Sequence, residues 1–372
     1  DNTAPSGAIT YSPAGPYREG DAVTLTVSFT EAMQATPALQ LSGAMTLAQT
    51  QLTKANETQY THTLTVTDGN GTANAILHAQ DPAGNAAPLA PTSGATFTLD
   101  NTVPTGSLAV FRDAAQPEAT HTNSTSVTVR LAAQDDFTVT GYYVSEADTA
   151  PLQSDFTTVA LPATNFSKDI AFDLSSGDGA KTVHGWALDK TGNIGGPYTD
   201  TITLDTVPPT LTLSDLPEEY TNADSLSVSV TLSETADLLK TGTCGLGSFP
   251  DQGTGPLALG ALTEGTYSDC ALNATDAAGN EAGVQTIRTF TVDRTVPASP
   301  TLTLDGGAAQ TTMENITAAL SASDSSGIEA YCVKETAASS IPSDSDDCWQ
   351  SAANSASFSK NESFTLSDGF TT

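Results

Sequence analysis

The stretch "TFTLDNTVPTGSL", from Thr96 to Leu108, returns as "TITLDTVPPTLTL" from Thr201 and as "TFTVDRTVPASPTL" from Thr289, and the chain opens on "DNTAPSGAI". A strand-like run, an acid, a threonine and a proline therefore recur, with Asp1, Asp100, Asp205 and Asp293 roughly a hundred residues apart, the size of one ordinary domain. Recurrence at that scale means an array of like modules, not one large fold. It sets expected boundaries at 1–100, 101–205, 206–293 and 294–372. Proline fixes its own φ and pushes the residue before it into an extended shape, so each "TVP" reads as a stiff joint.

Inside the modules the apolar residues alternate. In "VTLTVSF", Val23, Leu25, Val27 and Phe29 fall on one side, with threonine and serine on the other. "SVTVRLAA" and "LSVSVTL" repeat the pattern, and "TQYTHTLTV", "ANAILHAQD", "KTVHGWALD" and "GTYSDCALNATD" follow as later strands. A period of two with one polar face is an antiparallel strand packed on one side. About seven short strands per module, separated by turn signals, predict β-sandwiches. The fold class is all-β: tandem sandwiches in an elongated array, each joint carrying the last strand of one module into the first of the next. The only helical expectation is a single turn within Ser233–Gly242.

A second signature closes each full module: "QDPAGN" (Gln80–Asn85), "LDKTGN" (Leu188–Asn193) and "TDAAGN" (Thr275–Asn280). An acid that caps, then a glycine and an asparagine that tolerate positive φ, make a tight turn.

The chain has 372 residues and a formal net charge of −31, with only 12 lysines and arginines. Nucleic acid and anionic membrane surfaces are poor partners for such a surface, and no apolar run reaches spanning length. The four cysteines fall as two local pairs, Cys244 with Cys270 and Cys332 with Cys348. With no C-x-x-C spacing and sparse histidine, they predict two disulfides in an oxidising compartment.

The motifs "DNTVPT" and "TDAAGNE" resemble the bacterial Ig-like (BIg-type) domains found in tandem on large secreted and surface proteins, many of them repetitive adhesins. The likeness covers nearly the whole chain. "DDFTVTGYYVSEADTAP" matches "DSSGIEAYCVKETAASS", so the second and fourth modules look like one subtype. The resemblance implies Ig-like sandwiches at the cell surface or outside the cell. In such a sandwich the second-to-third and sixth-to-seventh strand loops lie at the end where the preceding linker arrives. Asp100 and Asn101 should then approach Asp135, Asp136, Asp189 and Asn193. The same logic gathers Asp205, Glu234, Asp276 and Asn280, and, in the first module, Asp1, Asn2, Glu31, Asp81 and Asn85. For the fourth it names Asp293 and Asp324, with Arg294 weakening the case. Converging carboxylates and amide oxygens suit calcium, which takes six to eight oxygen ligands in irregular geometry; related tandem modules use it in this way. Turn capping alone is the competing role for these residues.

Catalysis has little support. His62, His78, His121 and His184 fall singly and read as surface residues, and no nucleophile elbow or phosphate loop occurs. Trp186 reads as core, and Trp349 as packed on the disulfide beside it. Sequons stand at Asn56, Asn123, Asn165, Asn273, Asn315 and Asn361. The fourth module stops at "FTLSDGFTT", short of the strands its sibling has; either the chain continues or a strand from another copy completes it. The expected function is a non-enzymatic extracellular stalk, structural or adhesive, stiffened by calcium. Its partners would be further modules of the same chain, other copies, or a surface receptor or glycan. A filament or sheath subunit and an accessory array of a secreted enzyme are the alternatives.

Overall fold

A computed structural model describes residues 2–112, 119–241, 254–309, 311, 313–335, 342–343 and 345–366. It comprises two compact units, Asp1–Val207 and Pro208–Thr372, built from mainly antiparallel sheets, most of them packed as Ig-like sandwiches.

The first unit holds two sandwiches. Strands β1 (Gly7–Ser12), β2 (Ala22–Phe29), β3 (Ala38–Gly43), β4 (Leu47–Gln51), β5 (Thr53–Lys54), β6 (Gln59–Thr65), β7 (Gly71–His78) and β8 (Thr96–Leu99) form two four-stranded sheets, ordered β1-β2-β6-β5 and β4-β3-β7-β8. The alternation seen in the sequence becomes the core: Val23, Leu25 and Val27 are fully buried against Leu39, Leu41, Leu77 and Leu99 of the facing sheet. Burial of such side chains contributes about 1.5–3 kcal/mol each.

The second sandwich uses β9 (Thr105–Phe111), β10 (His121–Thr122), β11 (Ser126–Ser145), β12 (Thr157–Asp173), β13 (Gly179–Asp189) and β14 (Ile194–Leu204), in the order β10-β14-β13-β11-β12 with β9 on β11. Here the expectation of short strands fails. β11 is 20 residues long and β12 is 17. Their pairing runs in register from Ser126–Asp173 to Gln134–Asn165, breaks, and resumes at Val139–Ala163. Before the break β11 also pairs with β9; after it, with β13. The bulge lets one strand leave the first sheet and enter the second, turning the corner of the sandwich.

In the second unit, β15 (Leu211–Ser214), β16 (Tyr220–Thr221), β17 (Ser225–Leu232), β18 (Ala236–Thr241), β19 (Gly255–Ala261), β20 (Gly265–Tyr267), β21 (Cys270–Asp276), β22 (Gln285–Ile287) and β23 (Phe290–Val292) form three small sheets: β15-β17-β19, β16-β23-β20 and β18-β21-β22. The turn of helix expected within Ser233–Gly242 is instead strand β18, paired with β21 from Ala236–Asp276 to Thr241–Ala271. That partnership overrides the helix preference of Ala, Leu and Lys. Finally β24 (Ala298–Leu304), β25 (Asn315–Cys332) and β26 (Trp349–Thr365) make one sheet that repeats the long bulged strand pair of the second sandwich.

Each linker acid is tied into the module before it. Asp100 N–H donates to Tyr17 O (2.8 Å), Asp205 N–H to Thr122 O (2.9 Å) and Asp293 N–H to Thr221 O (2.9 Å). These bonds extend short parallel pairings: Tyr17 with Leu99, β10 with β14, and β16 with β23.

Cys332 and Cys348 are joined, with Cα atoms 5.1 Å apart. Cys270 is disulfide-bonded; Cys244 lies outside the described residues. No helix among the described residues is long and apolar enough to cross a membrane.

Candidate metal centre

The recurring acid-to-proline joint encodes a cap. Asp100 Oδ1 accepts from Thr102 N (3.2 Å) and Thr102 Oγ1 (2.6 Å); Asp205 Oδ1 accepts from Val207 N (3.1 Å); Asp293 Oδ1 accepts from Thr295 N (2.8 Å) and from the Thr295 hydroxyl. A carboxylate bonding the backbone two residues on turns the chain at each joint.

The "D-x-x-G-N" repeat encodes another. Asp189 Oδ1 accepts from the N–H groups of Gly192 (2.6 Å) and Asn193 (2.8 Å), and Oδ2 accepts from Asn193 Nδ2 (2.7 Å). Asp276 does the same with Gly279 and Asn280, and Asp81 with Asn85. Gly84, Gly192 and Gly279 sit at φ of 92°, 93° and 94°, a conformation open to glycine and costly for other residues.

At one joint in the first unit, both caps and the β11 bulge come together. Asp100, Asp135 and Asp189 each offer a carboxylate oxygen, all within 4.8 Å of one another. They are 1%, 6% and 2% exposed. The Thr191 hydroxyl bridges Asp189 Oδ1 (2.9 Å) and Asp100 Oδ2 (3.2 Å). Asn193 Nδ2 donates toward the carbonyls of Asp100 (3.0 Å) and Thr102 (3.1 Å), tying linker to turn.

Asp135 is the exception in this group. Its Oδ1 accepts from Phe137 N (2.9 Å), but its buried Oδ2 has no hydrogen-bond partner. Burial pushes its pKa up, the Phe137 N–H opposes this, and the charges of Asp100, Asp189 and Asp136 push it further up. Nearby, burial and then the Asp135 charge raise Tyr198 to about 12, and its hydroxyl donates to Pro104 O (2.6 Å). A buried trio of carboxylates, one of which carries an unpartnered oxygen, is an arrangement a divalent ion relieves. Two oxygens each about 2.4 Å from a calcium ion lie no more than about 4.8 Å apart, so the triad's spacing fits.

Two residues named with this group stand elsewhere. Asp136 is exposed, because neighbours on a strand point to opposite faces. Asn101 turns back to the preceding module: its Oδ1 accepts from Glu19 N (2.6 Å) and its Nδ2 donates to Gly69 O (2.7 Å). In the first module Asp81 and Asn85 form the turn and Asn85 Nδ2 reaches Thr3 O (3.3 Å); Glu31 is half-buried, and Asp1 lies outside the described residues. Asp205 belongs to the first unit, and Glu234, Asp276 and Asn280 to the second.

At the last joint Ser326 lies against both acids. Its hydroxyl donates to Asp324 Oδ1 (2.7 Å) and, with Thr295, holds the Asp293 pKa down. Arg294 also turns back, donating from Nη2 to Ala223 O (2.7 Å) and Leu262 O (3.0 Å); its Nε is 3.1 Å from Asp224 Oδ1, off hydrogen-bonding geometry. It therefore occupies the anchoring role of Asn101, a role the sequence does not reveal. Among the histidines, His184 is 9% exposed and stacked beside Trp186, itself a core residue at 2%. The surface placement expected for His184 fails because it shares a buried strand with that tryptophan. Trp349 is 40% exposed and donates to Ser343 O (2.8 Å).

No family model and no curated protein matches this chain. Among solved structures it is similar to the FN1–FN3 domains of chicken CNTN1, at 13% identity and a TM-score of 0.27, over 78% of this chain and 99% of that one. It is also similar to the three-domain ectodomain of mouse nectin-like molecule 4, at 13% identity and a TM-score of 0.23, over 75% and 98%. The third is Escherichia coli alpha-2-macroglobulin, at 11% identity and a TM-score of 0.21; the chain covers 33% of its length. At such scores the fold assignment stands on the paired sheets themselves.

Proposed function

We propose that this chain is an extracellular stalk of tandem Ig-like modules, structural or adhesive, of the kind borne by bacterial surface proteins, with calcium fixing at least the Asp100 joint. The observation that carries it is the buried Asp100–Asp135–Asp189 triad with its orphaned Asp135 Oδ2. Asp100 comes from the linker, Asp135 from the β11 bulge and Asp189 from the closing turn of the same sandwich. A divalent cation there would supply countercharge and join linker, bulge and turn; these residues' own part is to hold three oxygens in place through the caps described above. The disulfide and the acidic surface suit an oxidising exterior and a chain that resists self-association.

Small-angle scattering and calorimetry, with calcium and with chelator at matched ionic strength, test this. Calcium is expected to raise the melting temperature and lengthen or narrow the distance distribution. Indifference of both to the ion would remove the metal and leave only the Ig-like array.

A further inference from the structure

A cleft of about 580 Å³ opens within the first unit, where its two sandwiches meet. The first sandwich contributes parts of β1 and β8 and the segment from Ala14 to Tyr17; the second contributes Phe137 of the β11 bulge and Lys190 of the closing turn. Four rings line it. Tyr17 and Phe97 are buried, and Tyr11 stands 5.2 Å from Phe97 between ring centres. Phe137 differs from these. It is half-buried and belongs to none of the first unit's hydrophobic clusters among the described residues, so core packing does not account for it. The polar lining is unpaired. The hydroxyls of Thr10, Thr96 and Thr98 have no hydrogen-bond partner among the described residues. Lys190 is exposed and has no hydrogen bond, ion pair or ring contact there. Every other lysine and arginine has one or an electrostatic contact. In a chain of net charge −31, the one cation without a partner therefore stands at an aromatic cleft.

We infer that this cleft binds a carboxylated pyranose, a sugar of the uronic or sialic acid type carried on a glycan. Each part of such a sugar has a counterpart in the lining. Its C–H face lies on the half-buried rings of Tyr11 and Phe137, backed by Phe97 and Tyr17. Its hydroxyls, which donate and accept, meet the three threonine hydroxyls, which do the same. Its carboxylate meets the Lys190 ammonium in a charge-assisted bond. A proline-rich peptide, the other usual occupant of an aromatic groove, fits less well. It brings no countercharge for Lys190, and the tyrosine hydroxyls that could bond its carbonyls already donate to Gly94 O (2.7 Å) and Pro13 O (2.6 Å). The chain's own negative charge opposes an acidic ligand at long range, but physiological salt screens charges beyond about 8 Å. The site gives the adhesive reading its ligand class and rests on that reading. It does not require the ion, although Phe137 and Lys190 follow the triad acids Asp135 and Asp189 so closely that an ion there would steady both.

The test is saturation-transfer NMR of the full chain titrated with methyl glucuronide and with methyl glucoside, which differ only in the carboxylate, at physiological salt, in calcium and in chelator. Saturable binding of the glucuronide is expected, about tenfold tighter than that of the glucoside, the worth of one hydrogen bond to a charged group. Lys190→Gln should erase that preference while leaving the glucoside's affinity and the melting temperature unchanged. Phe137→Ala should weaken both sugars several-fold. No saturable binding of either sugar overturns the proposal, as does a carboxylate preference that survives Lys190→Gln. Oligoproline that binds more tightly than the glucuronide, and is lost with Phe137→Ala, makes the cleft a peptide groove and overturns it too. Sugar affinity equal in calcium and in chelator leaves the site standing and separates it from the ion at the Asp100 joint, whose own test is the melting temperature.

Discussion

Asp135 concentrates the electrostatic cost of the first unit. Its pKa is raised in the folded state by burial first, so its contribution favours folding fully below the unfolded value near 4 and is lost as pH rises through the folded one. In chelator, the first unit's melting temperature should therefore fall as pH rises from about 4, and Asp135→Asn should flatten that fall and raise stability at neutral pH. In calcium the order reverses. At a hundredfold excess over Kd a bound ion contributes about 2.7 kcal/mol, or roughly 5–10 °C for a unit near 200 residues, and Asp135→Asn should remove most of it. Calorimetry on both proteins decides; a variant that keeps the full calcium shift places the ion elsewhere. Gly192 gives a second check on the same turn. Its φ is 93°, and an added Cβ would meet Gln153 Nε2 at 2.5 Å and Arg18 Nη1 at 3.2 Å. Gly192→Ala should cost about 1–3 kcal/mol, seen as a lower urea midpoint with an unchanged slope.

The long bulged strand β11 decides what the sequence could and could not show. Its first half was plain from alternation, and Val127, Val129 and Leu131 lie in the core. Leu131→Ala should cost about 2–5 kcal/mol in denaturant unfolding, since the site is fully buried. Beyond Gln134 the alternation breaks, and "DDF" reads as a loop. The strand instead continues because β12, far along the chain, pairs with both halves. Strand pairing of this kind depends on partners and not on local preference, and for the same reason the Ala236–Thr241 strand looked helical. The gathering of Asp100, Asp135 and Asp189 was expected from the sandwich geometry that the resemblance implies, which sets linker, second-to-third strand loop and closing turn at one end; the motifs alone gave only the linker and the turn. That Asp136 faces outward follows only once the stretch is known to be a strand. The backward anchoring by Asn101 and Arg294 depends on the preceding module's loops, to which no motif points.

Across the whole molecule, charge and cysteine are unevenly shared. With a net charge of −31, added monovalent salt should stabilise both units modestly by screening self-repulsion, and calcium at equal ionic strength should exceed that effect. All four cysteines lie beyond Val207. A reductant should thus lower only the second unit's calorimetric transition; opening Cys332–Cys348, 16 residues apart, is worth about 3 kcal/mol. A reductant-sensitive first transition would contradict the division. The parallel pairings at the module ends carry a mechanical consequence. Early strand segments at Tyr17, His121–Thr122 and Tyr220–Thr221 run alongside the closing strands at Leu99, Thr203–Leu204 and Thr291–Val292. Tension applied along the polypeptide drags two such neighbours past each other, so their bonds must yield together instead of unzipping singly. Single-molecule stretching should accordingly record abrupt rupture peaks, one per sandwich, where peeled hairpins would give a slow, featureless yielding.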